Sequence, residues 1–270
     1  MTSPHDLIAT SKAFDPLIRP VFDEAIRSLA LPEASRGLDA GCGVGLQALM
    51  LAKAVGPEGH VVGLDLSPES VTAAEDLVRE AGVSDRLGFR VGDVTELPFA
   101  DDAFDWAWSA NCVGYAAAID PLSAVREMAR VVRPGGRVIL LAWSSEQLIP
   151  CHPMLEARLR ATSVGIAPFA EGLPPDRHYL RALGWFREVG LSDGAARTFL
   201  GEAQAPLDEE VKRALVSLFE MRWPGVESEL SSEDREAFRE LCLPDSPACV
   251  LNRQDYVAWF TCTMFTGVVP

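Results

Sequence analysis

The chain has 270 residues, 48% of them hydrophobic, which is enough to bury a sizeable core. Its 24 Lys+Arg against 39 Asp+Glu leave a net charge of −15, a field that repels phosphate backbones and anionic lipid surfaces, so nucleic-acid and membrane partners are disfavoured. No apolar run approaches the ~18 residues of a membrane span, no signal-peptide layout opens the chain, and the cysteines form no CxxC pair; the expectation is a cytoplasmic protein with free thiols and no metal site.

Residues 1–14 read as polar and loose. Leu17, Ile18, Val21, Phe22, Ala25, Ile26 and Leu29 then recur at helical spacing, which predicts a helix over Asp15–Leu29. A strand is predicted at Arg36–Ala40, followed by a glycine turn and a helix to about Ala54. His60–Asp65 is a second apolar strand, and Ser67-Pro68 opens a helix ended by Gly82, with serine as cap and proline at the first helical position. Leu87–Val91 and Phe104–Ser109 are predicted strands three and four. Asp120-Pro121 opens another helix, and Arg133-Pro-Gly-Gly136 feeds a fifth strand, Val138–Trp143. Five consecutive strand-then-helix units imply an α/β fold, a doubly wound parallel sheet with helices on both faces.

Beyond Trp143 the periodicity weakens. Ser144–Asp176 suits a loop-rich or partly helical cover, His178–Val189 a helix, and Ala195–Ala203 an extended segment. Asp208–Met221 and Ser231–Leu241 read as acidic amphipathic helices, and Asp255–Thr266 as a last strand. The expected organisation is one domain over 1–270: an N-terminal helical cover (1–35), a cofactor-binding core (36–143), and substrate covers at 144–190 and 204–253. The last segment is a substrate cover or a homodimer surface.

Chemistry concentrates at the first turn, Asp39-Ala-Gly41-Cys-Gly43-Val-Gly45. A strand, glycine turn and helix bind nucleotides at the carboxyl ends of a doubly wound sheet, and the alternation here is GxGxG, not the GxGxxG of dinucleotide sites. Asp39, Asp65 and Asp93 each close one of the first three strands. Asp65 lies where an acid accepts ribose hydroxyls, Asp93 where one accepts from an adenine amino group, and Asp39 faces an ammonium or holds the turn. With no Lys in the turn and an acid just before it, phosphates fit poorly. An adenosine with no phosphate and a positive centre, as in S-adenosylmethionine, fits better.

Those motifs, together with Gly63-Leu-Asp65, Gly92-Asp93-Val94, Leu97-Pro98-Phe99 with Phe104-Asp105, and Leu122 to Arg133-Pro-Gly-Gly136, resemble the class I S-adenosylmethionine-dependent methyltransferases. The nearest branch in appearance is the small-molecule group with the ubiquinone/menaquinone and sterol C-methyltransferases. The resemblance covers about residues 36–143. It implies a Rossmann-like seven-stranded sheet with the last strand antiparallel, Gly41 and Gly43 against the methionine moiety, and Asp65 on the ribose. It also places Leu66 on the adenine, Asp93 and Val94 at its edge, and Asn111 near the methionine portion. The family often carries Glu where Asp39 stands here.

Methyl transfer from a sulfonium is an in-line displacement that asks the protein mainly to align and to exclude water. A base is needed only where the acceptor must lose a proton. His152, just past the fifth strand, and His178 are the candidate catalytic residues, with Tyr115, Tyr179 and Glu146 as further candidates. The expected partner is a small, partly hydrophobic methyl acceptor. Two rival readings are a non-catalytic cofactor-binding scaffold and an NAD-dependent oxidoreductase, against which the missing GxGxxG argues.

Overall fold

In a computed structural model, residues 4–115, 119–164 and 174–270 are described, the side chains of 4–8, 10 and 11 apart. The elements in order are α1 (Pro4–Ser28), β1 (Arg36–Ala40), α2 (Leu46–Ala54), β2 (His60–Asp65), α3 (Pro68–Ala81), β3 (Leu87–Val91), β4 (Phe104–Ala110), α4 (Pro121–Val131) and β5 (Val132–Gln147). Then follow α5 (Pro153–Arg160), α6 (Ala182–Glu188), β6 (Ser192–Gln204), α7 (Glu209–Arg222), α8 (Ser232–Cys242) and β7 (Val257–Val268). The seven strands lie in the order β3-β2-β1-β4-β5-β7-β6. The first five pair in parallel, and β7 runs antiparallel to both β5 and β6. The strand order reverses between β1 and β4, which opens a crevice at their carboxyl ends.

The central strands β1, β4 and β5 are buried on both faces, and alternate residues feed two cores. Trp106, Trp108, Ile139 and Leu141 join the core under α1, α2 and α7, while Ala107, Val138, Leu140 and Ala142 join the one under α4 and α6. Gly37 has a packing reason: it pairs with Trp106, and a Cβ there would overlap the indole ring. The caps expected from sequence form, with Ser67 Oγ accepting from Ser70 N–H at 3.1 Å and Asp120 Oδ2 from Ser123 N–H at 3.0 Å.

Three expectations are corrected. The first helix begins at Pro4, not Asp15, and runs through Pro16 and Pro20, although each proline removes a helical N–H donor. Leu17, Val21, Phe22 and Ala25, which bury that helix's apolar stripe, outweigh the loss. The β3–β4 connection carries no helix. It is held from α4 instead: Glu127 accepts from Leu97 N–H at 2.8 Å, and Arg130 donates to the carbonyls of Phe99 and Leu97 at 2.9 and 3.1 Å. Strand β5 begins at Val132 directly out of α4 and extends to Gln147, so Arg133-Pro-Gly-Gly136 lies within it. No helix among the described residues is long and apolar enough to cross a membrane.

Candidate functional site at the β1–β4 crevice

The glycine turn between β1 and α2 carries left-handed backbone at Gly41 (φ 84°), Gly43 (φ 51°) and Gly45 (φ 82°), a region L side chains rarely adopt. At Gly41 a Cβ would also collide with Cys112 Sγ, so the β4 end packs directly on the turn. At Gly43 a Cβ would meet no heavy atom within 4 Å. The first glycine closes the wall of the crevice; the second leaves room for a ligand against the main chain.

Asp65, at the end of β2, fixes that turn. Its Oδ2 accepts from Gly43 N–H at 2.8 Å and its Oδ1 from Ser67 N–H at 3.0 Å. Each carboxylate oxygen has a second lone pair, so a vicinal diol can still donate to it. Beside it Leu66 is 70% exposed, an apolar side chain on open surface at the crevice mouth. Asp93 accepts through Oδ1 from both the N–H (2.8 Å) and the hydroxyl (2.7 Å) of Thr95, which hold its carboxyl below the usual range and so ionised. Val94 turns its side chain into the core with Leu64 and Leu97, so its main chain is what it can offer a ligand.

Asp39 is the most perturbed acid of the group. It is buried, its Oδ2 has no hydrogen-bond partner among the described residues, and burial followed by the Asp65 charge pushes its pKa up to about 8. An unpartnered buried carboxylate with a second carboxylate nearby is a poor phosphate site and a good site for a cation. Asn111 (φ 50°) closes β4; its N–H donates to the Leu141 carbonyl and its Oδ1 accepts from Trp143 N–H, both at 2.8 Å, which ties the end of β4 to β5.

From this turn a pocket of about 310 Å³ runs beneath the cover. Gly41, Gly43, Asn111 and Gln47 line one end; Phe14 and Ile18 of α1 with Leu218 and Met221 of α7 form an apolar wall; Tyr115, Trp143 and Arg222 also line it. Arg222 is 3% exposed, and its Nε donates to both oxygens of the buried Glu146, at 2.9 and 3.0 Å. Its guanidinium sits 5.1 Å from the Trp143 ring centre, and Trp143 stacks on Phe260 at 4.2 Å.

The sequence-derived residues separate accordingly. Asp39, Gly41, Gly43, Asp65, Leu66, Asp93, Val94 and Asn111 gather around the crevice. His152 does not line this pocket: it precedes α5 and lines a different cavity with Glu240, Cys249 and Arg253. His178 packs on Tyr179 at 4.4 Å, its Nδ1 accepts from Leu180 N–H, and burial lowers its pKa. Tyr179 is buried with its hydroxyl donating to the Ser144 carbonyl. Tyr115 reaches the pocket, and Glu146 reaches it only through Arg222. Sequence reasoning missed Arg222, Phe14, Ile18, Leu218 and Met221. One signal was available for the first: Arg222 interrupts an apolar stretch one residue past the predicted end of its helix.

Residues 38–140 match the methyltransferase domain family. The chain is 32% identical over 196 residues to a demethylmenaquinone methyltransferase of Halalkalibacterium halodurans, covering 67% of this chain and 78% of that protein. It is 33% identical over 141 residues to a probable tocopherol O-methyltransferase of rice, covering 50% of this chain but only 38% of that protein. The fold is shared with the YcgJ protein of Bacillus subtilis at a TM-score of 0.55 and 22% identity, over 93% of this chain and 98% of that one.

Proposed function

This chain belongs to the class I S-adenosylmethionine-dependent methyltransferases, and on that premise we propose that it methylates a small, partly hydrophobic molecule held beneath the α1–α7 cover. One observation carries the proposal: the pocket that starts at Gly41 and Gly43 continues into an apolar wall with few polar groups, the usual make-up of a small-molecule site. The two relatives described above are named for a menaquinone precursor and for tocopherol, ring compounds with apolar tails, which supports the same acceptor class. The scaffold and oxidoreductase readings have no comparable support. Four buried thiols among six unpaired cysteines suit a reducing, cytoplasmic setting.

When bound, S-adenosylmethionine supplies a methyl group on a sulfonium, which the acceptor attacks in line. The chain's residues position that reaction. Asp65 accepts from the ribose hydroxyls while holding Gly43 N–H, so the turn and the sugar share one anchor. Leu66 covers the adenine, Asp93 and the Val94 main chain meet its edge, and Asp39 faces the cationic amino-acid end. Gly41 and Asn111 hold the methionine portion at the end of β4. Phe14, Ile18, Leu218 and Met221 exclude water and let orientation do most of the catalysis.

The test is radiolabelled methyl transfer to two pools in parallel: demethylated naphthoquinols and tocopherol-type phenols, and total tRNA with protein extract. Label in the solvent-extractable products is the expected result. Label confined to precipitated macromolecules would overturn the acceptor class.

A further inference from the structure

Arg222, which lines the same pocket as Gly41 and Gly43, is held in a buried ion pair with Glu146. A buried ion pair is seldom the most stabilising filling for a core, because desolvation offsets the attraction. Here its arginine also lies in the wall of the pocket, and both hydrogen bonds to Glu146 come from Nε. The terminal amino groups carry the guanidinium's other four N–H donors. Tyr115 interacts with the same guanidinium and lines the same wall. Trp143 lines it too, and its buried indole N–H has no acceptor among the described residues. This end of the pocket is therefore rich in donors, and Glu146, the one acid described beside it, is already paired.

We propose that Arg222, with Tyr115, forms an oxyanion subsite that binds an ionised phenolic or enolic hydroxyl of the methyl acceptor. Glu146 fixes the guanidinium plane through Nε, and Trp143, stacked on Phe260, supports its face. The acceptor's hydroxyl proton leaves to solvent on binding, and the resulting anion pairs with the guanidinium in the same pocket that Gly41 and Gly43 line. The ring that carries the hydroxyl packs on Phe14, Ile18, Leu218 and Met221. The location favours the acceptor over the cofactor's own carboxylate as the source of the anion: Arg222 comes from the cover helix α7 together with the apolar wall, not from a strand end.

This rests on the methyltransferase reading, and the test separates the two. The protein is loaded with S-adenosylhomocysteine, then titrated with 4-nitrophenol and with its neutral ether, 4-nitroanisole. The visible absorbance of the phenolate reports the ionisation state of the bound probe. The wild type is expected to bind the phenol at least about tenfold more tightly than the ether and to raise the phenolate fraction at pH 6.5. Tyr115→Phe should reduce that preference several-fold. The Arg222→Met, Glu146→Gln double variant, which removes both charges together, should abolish it with S-adenosylhomocysteine affinity unchanged. Equal affinity for phenol and ether in the wild type overturns the inference alone. Loss of S-adenosylhomocysteine affinity in the double variant, with the phenol preference intact, also overturns it and reassigns Arg222 to the cofactor's carboxylate. If the wild type takes up no S-adenosylhomocysteine, the methyltransferase reading falls and this subsite falls with it.

Discussion

Binding of S-adenosylmethionine should release a proton from Asp39. In the ligand-free site, burial and then the Asp65 charge hold that carboxyl at about 8, so it is mostly protonated at neutral pH. An ammonium brought to about 4 Å at an effective dielectric of 20 contributes about 4 kcal/mol, enough to lower the pKa by about three units, to near 5. Between those values the affinity rises about tenfold per pH unit, until the ligand's own amine begins to lose its charge near pH 8. From pH 6.0 to 7.5 the gain is roughly 20-fold, with close to one proton released per ligand at pH 6.5. Calorimetry at pH 6.5 in phosphate and in imidazole, whose ionisation heats differ, counts that proton. Asp39→Asn copies the neutral acid, so it should fold, release no proton and bind with a flat pH profile. A wild type that releases no proton at pH 6.5, or an Asn variant that still does, would refute the assignment of Asp39 to the cationic end of the ligand.

The same residue affects stability in the opposite sense to an ordinary ion-paired acid. Its folded pKa lies above its ordinary 3.8, so its contribution is fully present below about pH 4 and is lost as pH rises through 8; urea titrations should show Asp39→Asn gaining on the wild type between pH 4 and 8 and holding that gain above. Gly43→Ala should cost about 1 kcal/mol of folding stability for its φ of 51° yet weaken S-adenosylmethionine at least about tenfold by filling the ligand's space, read by a thermal melt beside a titration. Arg222→Met alone leaves Glu146 buried and unpaired and should lose about 3–5 kcal/mol in urea unfolding, most of it restored by adding Glu146→Gln. His152→Ala should leave kcat within about twofold, because the ring lines a different cavity; a loss of 100-fold, on the scale of a proton-transfer catalyst, would return it to the reaction.

The core of the fold was legible in the sequence because its signals are local. Ser67-Pro68 and Asp120-Pro121 announce helix starts by capping chemistry, and Gly82 ends a helix in left-handed backbone at φ 69°. Asp39, Asp65 and Asp93 fall at successive strand ends, so the parallel topology brings them together without any knowledge of side-chain contacts. What stayed hidden depends on distant packing. Residues 4–14 look polar in isolation and become helical where α1 packs against α7 and β6. The pocket wall draws on Phe14 and Arg222, 208 positions apart, and no periodicity links them. His152 was placed near the reaction by its position after β5, but β5 runs on to Gln147 and carries the chain past the crevice before the histidine appears.

The most direct test of the account is calorimetric titration of the purified protein with S-adenosylmethionine and, separately, with NAD, repeated on Asp65→Ala. S-adenosylmethionine should bind saturably in the micromolar range, weakened at least about tenfold in the variant because Asp65 anchors both the ribose and the turn, and NAD should give no heat. Heat with NAD and silence with S-adenosylmethionine would contradict it.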